Sequence, residues 1–156
     1  MILRAGIVPE VEPRGGYPAP YDLGRGRLRF RHLTDAGGLT QFRVAFETLL
    51  SGGQSSQPHW HEKEDEFLCM LDDTRTVVED GDEAEIGPGD ACCWKAGDTV
   101  AHTLINRSER AALYLIAGTK RDDEVCHYPG LDLRDTPEGY VHLDGTPYDS
   151  KERLDD

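Results

Sequence analysis

Between Gly53 and Glu66 the chain concentrates imidazoles and carboxylates at spacings that suit a metal ion. His59 and His61 are separated by one residue. Side chains on a strand alternate with period 2, so both imidazoles point to one face and can share an ion. Glu66 opens the apolar run Phe67-Leu68-Cys69-Met70-Leu71, and the polar residues 62–65 read as the turn that lays this second strand beside the first. A fourth ligand has to come from another strand. His102 is the best candidate: it starts a β-type run just after a turn, with Asn106 four residues on and facing the same side. Three neutral imidazoles and one carboxylate suit one divalent first-row cation, Mn, Fe, Co, Ni, Cu or Zn. Such a set leaves one or two coordination positions for water or substrate, as catalytic metal sites do. Lys95, in the loop before His102, could neutralise a carboxylate or phosphate, so Lys95 and Asn106 are candidate substrate-binding residues. Trp60 faces away from the histidines and is expected to pack between sheet layers. His32, His127 and His142 lack a matching spacing and are expected to be structural or exposed.

The elements that must hold these residues read as strands. Leu28, Phe30 and His32 alternate with arginines, and Phe42, Val44 and Phe46 alternate with Arg43, Ala45 and Glu47. Both runs have the period of strands with one buried face. Further strand-like runs cover 66–71, 74–79, 84–86, 91–94, 102–105 and 111–117. Turn residues separate them, among them Asp80-Gly81-Asp82 and Gly87-Pro88-Gly89-Asp90. Strands at this spacing predict an all-β antiparallel sandwich or barrel. Residues 1–26, rich in Gly and Pro, read as an extended arm lying on the barrel of 27–118. Residues 119–156 read as a wrapping segment whose last few residues fray.

The 156 residues suit one domain. A formal net charge of −13 disfavours nucleic acid and anionic membrane as partners, leaving a small-molecule substrate or ligand. The start of the chain lacks the apolar run of a signal peptide, and no stretch approaches the roughly 18 apolar residues of a membrane span. Cys69, Cys92, Cys93 and Cys126 form no C-x-x-C pair and read as reduced, buried thiols of a cytoplasmic protein. The long arm and the open sheet edges of a barrel point to a homodimer.

On Gly53, His59, His61 and Glu66 the chain resembles the cupins, whose first motif, G-x5-H-x-H-x4-E, it meets at full spacing. Gly89, Gly97, His102 and Asn106 resemble their second motif, G-x5-P-x-G-x2-H-x3-N. The chain departs from the pattern at Asp73, where the first motif continues to a glycine, and at Lys95, where the second has proline. It also has four residues, rather than two, between Gly97 and His102. The resemblance implies a double-stranded β-helix (jelly-roll) barrel with one divalent metal on His59, His61, Glu66 and His102. It implies a metal-dependent enzyme of isomerase, epimerase or lyase type acting on a sugar or organic acid. A metal-dependent dioxygenase and a non-catalytic metal-anchored ligand-binding module are the alternatives.

Overall fold

Residues 1–12, 16–22 and 27–149 are described by the structure, a computed structural model. In chain order the first elements are β1 (Leu28–His32), α1 (Leu33–Gly37), β2 (Phe42–Leu49), β3 (Trp60–His61), β4 (Glu66–Met70) and β5 (Arg75–Glu79). There follow β6 (Asp82–Ile86), β7 (Ala91–Trp94), β8 (His102–Ile105), β9 (Ala112–Thr119), β10 (Cys126–His127), β11 (Arg134–Thr136) and β12 (Gly139–Val141). The runs read from the sequence at 66–71, 74–79, 84–86, 91–94, 102–105 and 111–117 are β4 to β9.

Five strands form one antiparallel sheet in the order β1-β2-β9-β4-β7. Opposite it lie the sheets β6-β5-β8 and β12-β11-β10-β3. The chain before β3 joins these two, since Gln54 and His59 bridge to Ile105 and His102 of β8. The result is an all-β barrel of the jelly-roll kind. Among the described residues no helix is long and apolar enough to cross a membrane.

Local chemistry sets the connections. Asp80 and Gly81 both have positive φ in the two-residue β5–β6 hairpin, the backbone that Asp-Gly favours because it matches strand twist. Asp73 adopts φ 56°, so it occupies the left-handed conformation for which the family motif has glycine. Its carboxylate accepts from the Thr74 amide at 2.8 Å and pairs with Arg110 at 3.2 Å, which offsets the strain of a non-glycine residue there. At Gly53 a Cβ would lie 2.9 Å from the carbonyl oxygens of Arg27 and Leu50, so only glycine fits.

The sheet registers place successive layers of side chains inside the barrel. Glu66 stands opposite Gly118 and Trp94, and Arg43 opposite Gly118. Below them Ala45, Ile116, Leu68 and Cys92 form a second layer, and Glu47, Tyr114 and Met70 a third. The core comprises Leu49, Leu68, Met70, Val77, Ile86, Trp94, Leu104, Ala112 and Tyr114. Burying each large aliphatic side chain contributes about 1.5–3 kcal/mol.

The face that β2 buries differs from what its apolar residues suggest. Ala45 and Leu49 are buried while Phe42 is 43% exposed, so Arg43 and Glu47 face the barrel interior. A cavity that is partly polar inverts the usual hydrophobic alternation.

A second cluster, Tyr17, Cys126, Tyr128, Leu133 and Tyr140, joins the arm to the wrapping segment. The Tyr17 hydroxyl accepts from the Gln57 amide at 3.1 Å, and its ring meets Tyr128 edge-on at 5.4 Å. The residues expected to fray lie outside the described residues, as do the arm positions 13–15 and 23–26.

Candidate metal centre

Three strands and the segment before β3 bring the predicted ligands together. His59 bridges directly to His102, and His61 sits two residues on, on the same face. Glu66, at the start of β4, projects between them from the other sheet. Its carboxylate oxygens lie 3.1 Å from His61 Nε2, 3.8 Å from His59 Nε2 and 3.5 Å from His102 Nε2. All three imidazoles thus bring Nε2 to within 3.8 Å of one carboxylate.

The other ring nitrogens are held from behind. His59 Nδ1 lies 3.0 Å from the Gln57 carbonyl and 3.1 Å from Ser56 Oγ, and His102 Nδ1 lies 3.2 Å from the Val100 carbonyl. A carbonyl only accepts, so these rings carry hydrogen on Nδ1 and present a bare Nε2 lone pair to the centre. His61 Nδ1 lies instead 3.3 Å from Glu124 Oε1, within ion-pair range though not aligned as a hydrogen bond. Trp94 stacks on His102 at 3.8 Å, with its indole N–H donated to Glu79 at 2.7 Å, so ring orientation is fixed by packing as well.

Electrostatics fit a cation. Burial opposes ionisation of Glu66, yet the His102, His59 and His61 imidazoles around it hold its carboxylate well below the ordinary range. Burial would likewise depress His61, but the Glu124 and Glu66 carboxylates outweigh it and raise the imidazole from 6.5 to about 10. Burial lowers His59, with Glu66 only partly opposing. His102 is 2% exposed and its Nε2 has no hydrogen-bond partner among the described residues. A buried, unpaired acceptor is costly unless something supplies the missing contact, and a divalent metal does so. His59, Glu66 and His102 offer ligand atoms all within 4.8 Å of one another, as do His59, His61 and Cys126. The residues present fit a metal.

The centre opens into a cavity of about 430 Å³. Ser55, Ser56, Thr103 and Tyr128 bring hydroxyls to its wall. Deep inside, the Tyr114 hydroxyl donates to Glu47 Oε2. Burial and the Glu47 and Glu66 charges push the Tyr114 phenol well above its usual range, so it stays protonated. Arg43, 37% exposed, lines the solvent end of the cavity and lies 3.6 Å from Glu64.

The two other candidates stand elsewhere. Lys95 is exposed and is not part of the cavity lining; Arg43 and Lys120 are its basic residues. Asn106 is fully buried and held by the backbone. Its amide donates to the carbonyls of Leu49 and Arg110 at 2.9 and 2.8 Å, and its oxygen accepts from the Ser108 amide at 2.9 Å. Its own backbone pairs with Gly53 and Gly52, so the motif asparagine and the motif glycine clamp each other. Trp60 faces outward and stacks on His127 at 4.1 Å. None of the four cysteines forms a disulfide; Cys126 is buried, Cys69 and Cys92 are half-buried, and Cys93 is exposed rather than buried. Sequence reading missed Arg43, Glu47, Tyr114, Glu124 and Cys126.

Residues 45–118 match the family described as Cupin domain, and the barrel around them has the cupin fold. Among solved structures it is similar to a sugar phosphate isomerase from a cupin superfamily of Silicibacter pomeroyi. The two share 29% identity over 96% of this chain and 98% of that one, with a TM-score of 0.85. A second structure, from Acidithiobacillus ferrooxidans, carries a provisional sugar phosphate isomerase label. It is 20% identical over 96% of both chains, with a TM-score of 0.78. The polyketide cyclase RemF from Streptomyces resistomycificus is 20% identical over 76% of this chain and 80% of that one, at a TM-score of 0.56. At this identity the last two speak to fold alone. No curated protein matches the sequence.

Proposed function

We propose that the protein is a metal-dependent enzyme of isomerase, epimerase or lyase type acting on a small anionic sugar or organic acid. The observation that carries this reading is the placing of a proton-handling pair, Glu47 and the protonated Tyr114, in the same cavity as the converging donors. His59, His61, Glu66 and His102 would hold one divalent ion. When bound, it supplies Lewis acidity, polarising a carbonyl or stabilising an enolate. The protein's own residues do the rest. Hydroxyls of Ser55, Ser56 and Thr103 suit the hydroxyl groups of a polyol. Arg43 provides positive charge at the open end for a carboxylate or phosphate, despite the net charge of −13. Glu47 accepts a proton and Tyr114 donates one, a division of roles set by their hydrogen bond. The similarity to the Silicibacter pomeroyi protein supports the sugar phosphate among the possible substrates.

The ligand set is tested by metal content. Wild-type protein is expected to purify with close to one divalent ion per chain, and His59→Ala with His61→Ala to lose it, because too few donors remain. Unchanged metal content in the double variant would refute the assignment. The reaction is tested by loading the apoprotein separately with Zn and Fe(II) and screening sugar phosphates, uronates and keto acids. Zn has no redox chemistry, so anaerobic turnover with Zn supports the proposal. Turnover only with Fe and dioxygen would make it a dioxygenase instead. Tight ligand binding without turnover would make it a binding module.

A further inference from the structure

Cys126 is the thiol of the chain that the proposed reaction leaves unused and that nonetheless stands at the metal centre. Strand β10 pairs antiparallel with β3 in the register Cys126 opposite His61. Directly opposed residues project on the same side with Cβ atoms about 5 Å apart. The thiol therefore rises beside the His61 imidazole and forms part of the cavity wall. It is 7% exposed, and its sulfur and the ligand atoms of His59 and His61 all lie within 4.8 Å of one another.

Tyr128 lies in the same buried cluster as Cys126. Tyr128 also packs 6.0 Å from the His59 ring, which holds phenol, thiol and imidazole in one wall. The unpaired, buried His102 Nε2 is a separate sign that the centre is built for an electrophile.

We propose that Cys126 is a metal ligand for thiophilic ions, so that the centre holds two overlapping donor sets that share His59 and His61. One is the set of His59, His61, Glu66 and His102, of nitrogen and oxygen; the other is His59, His61 and Cys126, of nitrogen and sulfur. Thiolate favours Zn(II) and Co(II), whereas carboxylate and imidazole suffice for Mn(II). As the ion binds, the S–H bond breaks, its proton passes to solvent and the sulfur lone pair makes the metal–sulfur bond. The identity of the ion thus decides which side of the cavity it leans to.

Co(II) titration of the apoprotein reads this directly. The wild type is expected to show a near-ultraviolet sulfur-to-cobalt charge-transfer band beside its visible ligand-field bands. Cys126→Ser is expected to lose the first and keep the second, to bind Zn(II) more weakly, and to bind Mn(II) as the wild type does. Cys69→Ser and Cys92→Ser, on the five-stranded sheet, are controls that should keep the band. Cys126→Ala, with melting and circular dichroism, guards against a misfolded serine variant. A wild-type spectrum without the charge-transfer band, or a band that survives in both Cys126 variants, overturns the proposal. This inference rests on the metal centre and not on the reaction, so failure of the substrate screen leaves it standing. Failure to take up Co(II) at all would overturn both.

Discussion

Glu124 shows how a residue outside the ligand set can decide its strength. Its carboxylate accepts from the amides of Glu62 and Lys63 at 2.8 Å each, which fixes the turn that follows the histidines, and sets a negative charge 3.3 Å from His61 Nδ1. Carboxylates behind metal-binding histidines set tautomer and basicity. Glu124→Gln is therefore expected to weaken metal binding by about 10–100-fold, measured by competition with a chelator, while the protein stays folded. The same pair sets the pH dependence. Without metal, the folded protein holds a proton on His61 up to about 10, above the unfolded value of 6.5. That proton stabilises the apo fold fully below 6.5, and the contribution is lost as pH rises through 10. Metal must displace it, so apparent affinity should climb with pH across this window, and a flat profile would contradict the assignment. Asn106, by contrast, belongs to the fold. Asn106→Ala strands the buried carbonyls of Leu49 and Arg110 and should cost about 3 kcal/mol in denaturant unfolding without lowering metal stoichiometry.

Among the elements, β2 and β10 mark the limits of what the sequence discloses. The candidate ligands were legible because His61, Glu66 and His102 lie on short strands and His59 bridges to one, so spacing fixes the face, and strands β4 to β9 sit where the alternation and turn residues put them. Arg43 and Glu47 were hidden because hydrophobic alternation on β2 points to the wrong face when the inner one lines a polar cavity. Cys126 and Glu124 were hidden for a different reason. They lie some sixty residues from His61, and only the pairing of β10 with β3, which no local pattern announces, brings them to it. Gly118 offers a test at this scale. It stands between Arg43 and Glu66, and a Cβ there would come within 2.6 Å of the Asp65 carbonyl. Gly118→Ala should cost about 1–3 kcal/mol of stability and displace Glu66 enough to weaken metal binding, read by melting temperature with and without metal.

For the molecule as a whole, the outer face of the five-stranded sheet stands out. Two of its cross-strand rows are largely apolar, Phe46, Leu115, Cys69 and Ala91 beside Arg31 in one and Val44, Ala117, Phe67 and Cys93 in the other. Phe67 is 37% exposed. Copies that each carry −13 repel one another, so close association is favoured where the surface is uncharged. A flat sheet face also suits the self-complementary contact of a two-fold dimer. We therefore propose a homodimer through this face. Sedimentation should find a dimer for the wild type and a monomer for Phe67→Glu combined with Leu115→Glu. A wild type that stays monomeric at high concentration would remove the proposal.

The aromatic cluster of Tyr17, Tyr128 and Tyr140, which lines the cavity of the candidate metal centre like a roof, also orders events in time. The four donors are complete once His102 has been made, whereas the strands that cover them, β10 to β12, begin only at Cys126. A chain leaving the ribosome therefore offers its imidazoles and carboxylate before Tyr128 and Tyr140 exist to close over them. Loading through the open side and exchange past the finished aromatic roof are different processes with different rates. An ion bound at this centre would then record the medium in which the chain was synthesised, as much as the preference of the finished site.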